Sequence, residues 1–239
     1  MSGISSGYRC ALLKISGEAL AGERAYGIDS RKTLWIASEI AKAAREGRRI
    51  GIVVGGGNIL RGAEAASVGV PPLVGDEMGM VATVLNGLAL RSAIEVQGLR
   101  AAVMSAFPVG SFVETFEREG ALRYLSSGTV VVFCGGTGNP CFTTDSAAAL
   151  RAVQIEADIL VKGTQVDGVF DKDPKKHPDA RFFPTISAKD VLRLGLGVMD
   201  AAAVDILGKN GIPAVVLNLH KEDNIRRSLA GDPVGTTVF

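Results

Sequence analysis

Short apolar runs alternate along this chain with longer amphipathic stretches. Residues 9–16 (RCALLKIS) are apolar apart from Arg9, the interior Lys14 and the small polar Ser16, and Gly17 closes the run, which predicts a strand. Beyond it, Leu34, Ile36, Ala37, Ile40, Ala41 and Ala44 recur at helical spacing. Asp29 or Ser30 is placed to cap that helix and Gly47 to end it. Residues 49–54 predict a second strand, which runs into Gly55-Gly56-Gly57-Asn58. A short helix is expected over 59–66, and Pro71-Pro72 opens a long one over 73–97. Strands three and four are expected at 99–105 and 129–133, with a helix over 114–125 between them. A helix over 146–156 then leads to strand five at 158–162.

The pattern loosens after that. Asp167-Gly168 lies between apolar residues and suggests a hairpin over 166–170. Residues 171–183 are charged and proline-flanked, which suggests an exposed excursion. Helices over 187–194, 200–210 and 222–229, a strand at 213–218 and an edge strand at 236–239 complete the series. Strands alternating with helices imply an α/β fold: a three-layer α/β/α sandwich on a mostly parallel sheet. With no internal repeat or low-complexity linker in 239 residues, residues 1–239 are expected to form one domain.

Composition narrows the function classes. The formal net charge is +1, so no global field draws nucleic acid or membrane, and any anion must be held by local groups. The scattered Cys10, Cys134 and Cys141 fit reduced thiols better than a disulfide or zinc framework. The start is polar and small, and no run of about 18 apolar residues stands out, so the chain is expected to be soluble and cytoplasmic.

The chemistry gathers where strands end. The loop 135–145 (GGTGNPCFTTD) follows an apolar strand and opens a helix. Free N–H groups and the helix dipole make such a junction an anion site. Glycine-rich loops also follow strands one and two, and in a parallel sheet all three face one crevice. Taken singly, each could be a tight turn. No G-x-x-x-x-G-K-[ST] is present, and Gly55-Gly56-Gly57 lacks the full dinucleotide spacing. Lys14 and Lys162 each end an apolar strand; alone, either could snorkel to an edge, but together they suit charge neutralisation on a transferring phosphoryl group. Arg61 is a possible third cation. Asp145 either complements a helix dipole or positions the two lysines. Asp76 is placed to contact a sugar or to cap its helix. Asp173 reads most simply as a solvated charge. His177 and His220 lie in polar context, and no cluster has metal-site spacing, so a divalent ion is expected to arrive with a nucleotide.

These residues also carry a resemblance. LLKISGEAL (12–20), VVGGGNILRG (53–62), VGDEMGMVATVLNGLAL (74–90), GTGNPCFTTDSAAALRA (136–152) and VDGVFDKDP (166–174) resemble the bacterial uridylate kinases, a branch of the amino-acid kinase family. The resemblance runs through essentially the whole chain. It implies an α/β/α sandwich that transfers the γ-phosphate of ATP, with Mg2+, to UMP in pyrimidine biosynthesis. Carried over by position, Lys14, Ile15, Ser16 and Gly17 would hold ATP phosphates, with Gly57 and Arg61 on the ATP side. Thr164, Phe170 and Asp173 would hold the adenosine. Gly56, Asp76 and the run Thr137, Gly138, Asn139, Pro140, Cys141, Phe142, Thr143 and Thr144 would contact UMP. Lys14, Lys162 and the organising Asp145 would form the catalytic set. Gly22, Glu23, Arg24, Ala25, Tyr26 and Gly27 match a segment linked to allosteric GTP. A homo-oligomer, a hexamer, activated by GTP and inhibited by UTP is the implied assembly. Two departures stand out: Cys141 replaces a common aromatic, and Gln165 removes a charge near the adenosine. The alternatives are another amino-acid kinase, acting on acetylglutamate, glutamate or carbamate, and a non-catalytic nucleotide-binding protein.

Overall fold

The computed structural model describes residues 7–60 and 69–239. Nine strands join one sheet. They are β1 (Cys10–Ile15), β2 (Arg49–Val54), β3 (Ala101–Ser105), β4 (Glu114–Thr115), β5 (Val130–Cys134), β6 (Ile159–Thr164), β9 (Thr185–Ile186), β10 (Ala214–Asn218) and β11 (Thr236–Val238). Their order is β4-β3-β5-β2-β1-β6-β10-β11-β9. Only the β10–β11 pair is antiparallel. The short antiparallel pair β7 (Val169–Phe170) and β8 (Phe182–Phe183) stands apart.

Strand alternation divides the core into two halves. Ala11, Leu13 and Ile15 of β1 face one side, with Ile50, Ile52, Val161 and Leu217. Over them pack α1 (Gly17–Ala21), α2 (Ser30–Ala44), α3 (Pro72–Val96) and α8 (Asn224–Ala230). Cys10 and Leu12 face the opposite side, with Val53, Phe133 and Leu160. There they meet α4 (Arg118–Ser126), α5 (Thr144–Gln154), α6 (Ala188–Arg193) and α7 (Ala201–Lys209). This is the expected α/β/α sandwich. Burial pushes the Cys10 thiol up to about 11 and the Cys134 thiol up to about 12, so both stay protonated core residues.

Three expectations change. The helix expected over 114–125 begins only at Arg118, capped by the Glu117 side chain, and Glu114–Thr115 is an edge strand instead. The segment expected as an edge at 236–239 is interior: β11 lies between β10 and β9, and β9 is the edge. The hairpin is wider than the Asp167-Gly168 signal implies, because β7 pairs with β8 across the charged excursion. The helix expected over 59–66 lies largely outside the described residues; its first residues, Ile59 and Leu60, are not helical.

The long helix α3 has the length and composition of a membrane span, with a mean hydropathy of 1.3 over its most apolar 18 residues. Here it covers the sheet. Asn86 is fully buried, and Gly87 lies against Cys134 of β5.

Candidate active site

The site begins with register. Parallel pairing of β1 with β6 sets Lys14 opposite Lys162. Alternation turns both side chains to the face that α5 covers. Two ammonium groups side by side on adjacent strands repel. Asp145, the second residue of α5, separates them: its Oδ1 is 2.7 Å from Lys14 Nζ and its Oδ2 is 2.5 Å from Lys162 Nζ. All three side chains are 11–14% exposed. Burial alone would raise the Asp145 pKa, but the Lys14 and Lys162 charges outweigh it and hold the carboxyl below the ordinary carboxylate range. Burial draws Lys162 below the usual lysine value; Asp145 opposes this and Lys14 adds to it. The three groups carry a net positive charge aimed at the strand ends.

Three loops surround them. After β1, Ser16 caps α1 by accepting from Ala19 N at 3.3 Å. Gly17 is pressed against the second loop: a Cβ there would lie 2.3 Å from Asn58 Oδ1 and 2.8 Å from Gly55 O. That second loop is pinned from below. The buried Asn86 donates to Gly55 O at 2.7 Å and exchanges side-chain hydrogen bonds with Asn58. After β5, Gly135, Gly136 and Gly138 all take positive φ. Gly135 N donates to Thr83 Oγ1 of α3 at 2.7 Å. Cys141, at φ 69°, donates its N–H to Asp76 Oδ2 at 2.8 Å. Asp76 is thus neither a cap nor free: it ties α3 to this loop. Thr143 then caps α5, accepting from Asp145 N at 3.0 Å.

Two clefts lie near the triad, one reaching Thr144 beside Asp145 and the other lined by Lys162. One, of about 370 Å³, is lined by Gly56, Gly57, Asp76, Thr83, Asn139, Phe142, Thr143 and Thr144 among others. It gathers five of the positions expected to contact UMP beyond Gly56, and it includes Gly57, which was expected on the ATP side. Gly138 is a turn residue packed on Ala106, and the Thr137 hydroxyl bonds within the loop, to Asn139. The other cleft, of about 420 Å³, brings Thr164, Phe170 and Asp173 together with Lys162 and Val198. Asp173 is therefore a cleft wall rather than a bare surface charge. Arg61 lies outside the described residues.

The segment 22–27 stands elsewhere. Gly22 and Glu23 line a shallow cleft of about 340 Å³ with Asp29, Arg31, Lys32 and Trp35. Arg24 reaches Ile28 O and Asp29, and Tyr26 is exposed. Gly27 is joined to the second loop: its N–H donates to Asn58 O at 2.6 Å, and its carbonyl accepts from Asn58 Nδ2 at 2.8 Å.

Sequence reasoning missed several supports. Val198 O accepts from Lys162 Nζ, and Asp200 binds both sides of the Asp145 turn. Asp200 looked like an ordinary helix start before Ala201-Ala202-Ala203. Asn58 and Asn86 carried a weak signal, amides beside glycine within apolar context. Among the described residues one carboxylate trio has metal-ligating closeness, Glu39, Glu222 and Asp223, but Lys42 Nζ is within 2.7–3.2 Å of all three.

The model of the amino acid kinase family matches residues 9–218. The chain belongs to that family. Relatives agree over nearly the full length. The uridylate kinase of Psychromonas ingrahamii is 48% identical over 233 residues, covering 98% of this chain and 94% of its own. That of Brucella anthropi is 49% identical over 224 residues, covering 94% and 93%. Among solved structures, the UMP kinase of Bacillus anthracis superposes with a TM-score of 0.94 at 34% identity, covering 97% of this chain and 96% of that one. The UMP kinase of Ureaplasma parvum gives 0.90 at 36%, covering 96% and 98%.

Proposed function

We propose that this protein is a UMP kinase, transferring the γ-phosphate of ATP to UMP to give UDP and ADP in pyrimidine biosynthesis. The observation that carries the reading is the Lys14–Asp145–Lys162 triad, with Lys162 in the wall of one cleft and Thr144, next to Asp145, in the wall of another. The cleft at Thr164, Phe170 and Asp173 takes adenosine; the cleft at Asp76 and 139–144 takes UMP. An oxygen of the UMP phosphate bonds to the γ-phosphorus as the β–γ bridging P–O bond breaks, and ADP leaves with the electron pair. The acceptor is already ionised, so no strong base is required. Catalysis reduces to in-line placement and charge neutralisation by the two ammonium groups. Asp145 holds the lysines and touches neither substrate. Both its oxygens are occupied by lysine, so Mg2+ arriving with ATP would be held by phosphate oxygens and water, and would neutralise charge on the triphosphate.

The full reading includes GTP activation, UTP inhibition and a homohexamer in the cytoplasm. The two-way backbone and side-chain link between Gly27 and Asn58 supports an effector role for the segment 22–27, because Asn58 also holds the loop of the acceptor cleft. One domain spanning 1–239 fits the unbroken nine-stranded sheet.

A coupled assay of ADP release, with Mg-ATP and a panel of UMP, CMP, acetylglutamate and carbamate, tests the acceptor. Turnover with UMP at least 100-fold above the others is expected. Preference for any other acceptor, or no ADP with all four, overturns the reading. Adding GTP or UTP to the same assay reads the effectors.

A further inference from the structure

Asp200 sits where two helices begin together. Its Oδ1 accepts from Ala203 N at 2.7 Å and so caps α7. The same carboxylate reaches across to α5, accepting from Ser146 N at 3.2 Å, from Ser146 Oγ at 2.9 Å and from Thr143 Oγ1. Thr143 and Ser146 bracket Asp145 in sequence. Two residues before Asp200, Val198 O accepts from Lys162 Nζ. The segment 198–200 therefore grips Lys162 with a carbonyl and the Asp145 turn with a carboxylate. A cap alone uses one acceptor contact; this carboxylate makes three more, all to the neighbouring helix.

We propose that Asp200 is a positioning residue that fixes the Asp145 turn and Lys162 against one another. The inference rests on the phosphoryl-transfer reading above. The charged groups facing Lys162 are Asp145 from α5, Lys14 from β1 and Asp200 from the start of α7. Lys14 disfavours the ammonium form of Lys162, while Asp145 and Asp200 favour it. Losing the second carboxylate frees the turn and removes one of the two negative charges that favour the ammonium form of Lys162.

Two variants separate this from helix capping. Asp200→Asn keeps the size and removes the charge. Asp200→Ser keeps a good cap for α7 but cannot span to Ser146. The first measurement needs no substrate: carbon-13 NMR titration of Lys162 in lysine-labelled protein. Its apparent pKa is expected to fall in both variants. The second is steady-state kinetics with UMP and Mg-ATP, where kcat is expected to fall at least 10-fold and both KM values to stay within threefold. An unmoved Lys162 titration overturns the proposal whatever the acceptor is. A moved titration with turnover within twofold of the parent overturns it as well. A parent enzyme that ignores UMP would instead refute the acceptor assignment, and the titration would still decide the role of Asp200.

Discussion

Asp145 does at residue scale what neither lysine can do for itself. Lys14 and Lys162 are in register on neighbouring strands and would repel across a buried face if nothing stood between them. Removing one member of a buried charge set leaves its partners uncompensated, which typically costs about 3 kcal/mol or more. Asp145→Asn should therefore destabilise the fold by roughly 3 kcal/mol, read by chemical denaturation. The pH dependence has a definite sign. The native carboxyl is held below its unfolded value, so its contribution is complete above the unfolded pKa, about 4, and is lost as pH falls through the lower native value. The stability gap between parent and Asp145→Asn should be constant from pH 5 to 7 and shrink below about pH 4. A gap that widened on acidification would contradict the ion-pair account.

At the scale of elements, α3 is held close to the sheet by an absent side chain. A Cβ at Gly87 would lie 2.1 Å from Cys134 Sγ. Exchanging glycine for alanine inside a helix ordinarily stabilises by about 1 kcal/mol. Overpacking a core costs about 1–3 kcal/mol and wins here. Gly87→Ala should lower the melting temperature and, by lifting α3 from β5, weaken UMP binding, because Asp76 and Thr83 on the same helix hold the 135–145 loop. An unchanged or raised melting temperature would show that the helix has room to spare. The same scale explains what was legible in the sequence. The runs at 10–15, 49–54 and 130–134 are buried on both faces, so they read as continuous apolar strands. β4 and β9 are two residues each, and Glu114 and Thr115 are both exposed, so neither leaves a pattern to find. Lys14 and Lys162 were visible because a charge inside or closing an apolar run breaks a rule; Asp145, in the first turn of a helix, stood out only as the end of the glycine-rich loop 135–145 and through the resemblance. Asp200 broke none. An aspartate at a helix start is ordinary, and its reach to α5 depends on a contact 54 residues away.

For the whole molecule, the outer face of α3 bears on assembly. Val74, Met78, Val81 and Leu85 follow one another in steps of four, three and four, the spacing of a helix–helix seam. They are 41, 42, 54 and 50% exposed. The opposite face of the helix lines the cleft proposed for UMP through Asp76, Gly79 and Thr83. The expected homo-oligomer would bury this stripe. Leu85→Asp should lower the mass measured by light scattering while leaving the monomer folded, as judged by circular dichroism. An unchanged mass would place the subunit contact elsewhere.

The triad of two ammonium groups and one carboxylate leaves a surplus of a single positive charge, the same as the formal net charge of the entire chain. That surplus sits at one largely buried place at the strand ends, where a small anion can approach both ammonium groups. With a screening length of about 8 Å at physiological ionic strength, that surplus acts only on a ligand that comes close to it. A single nucleotide small enough to enter the clefts meets the full charge.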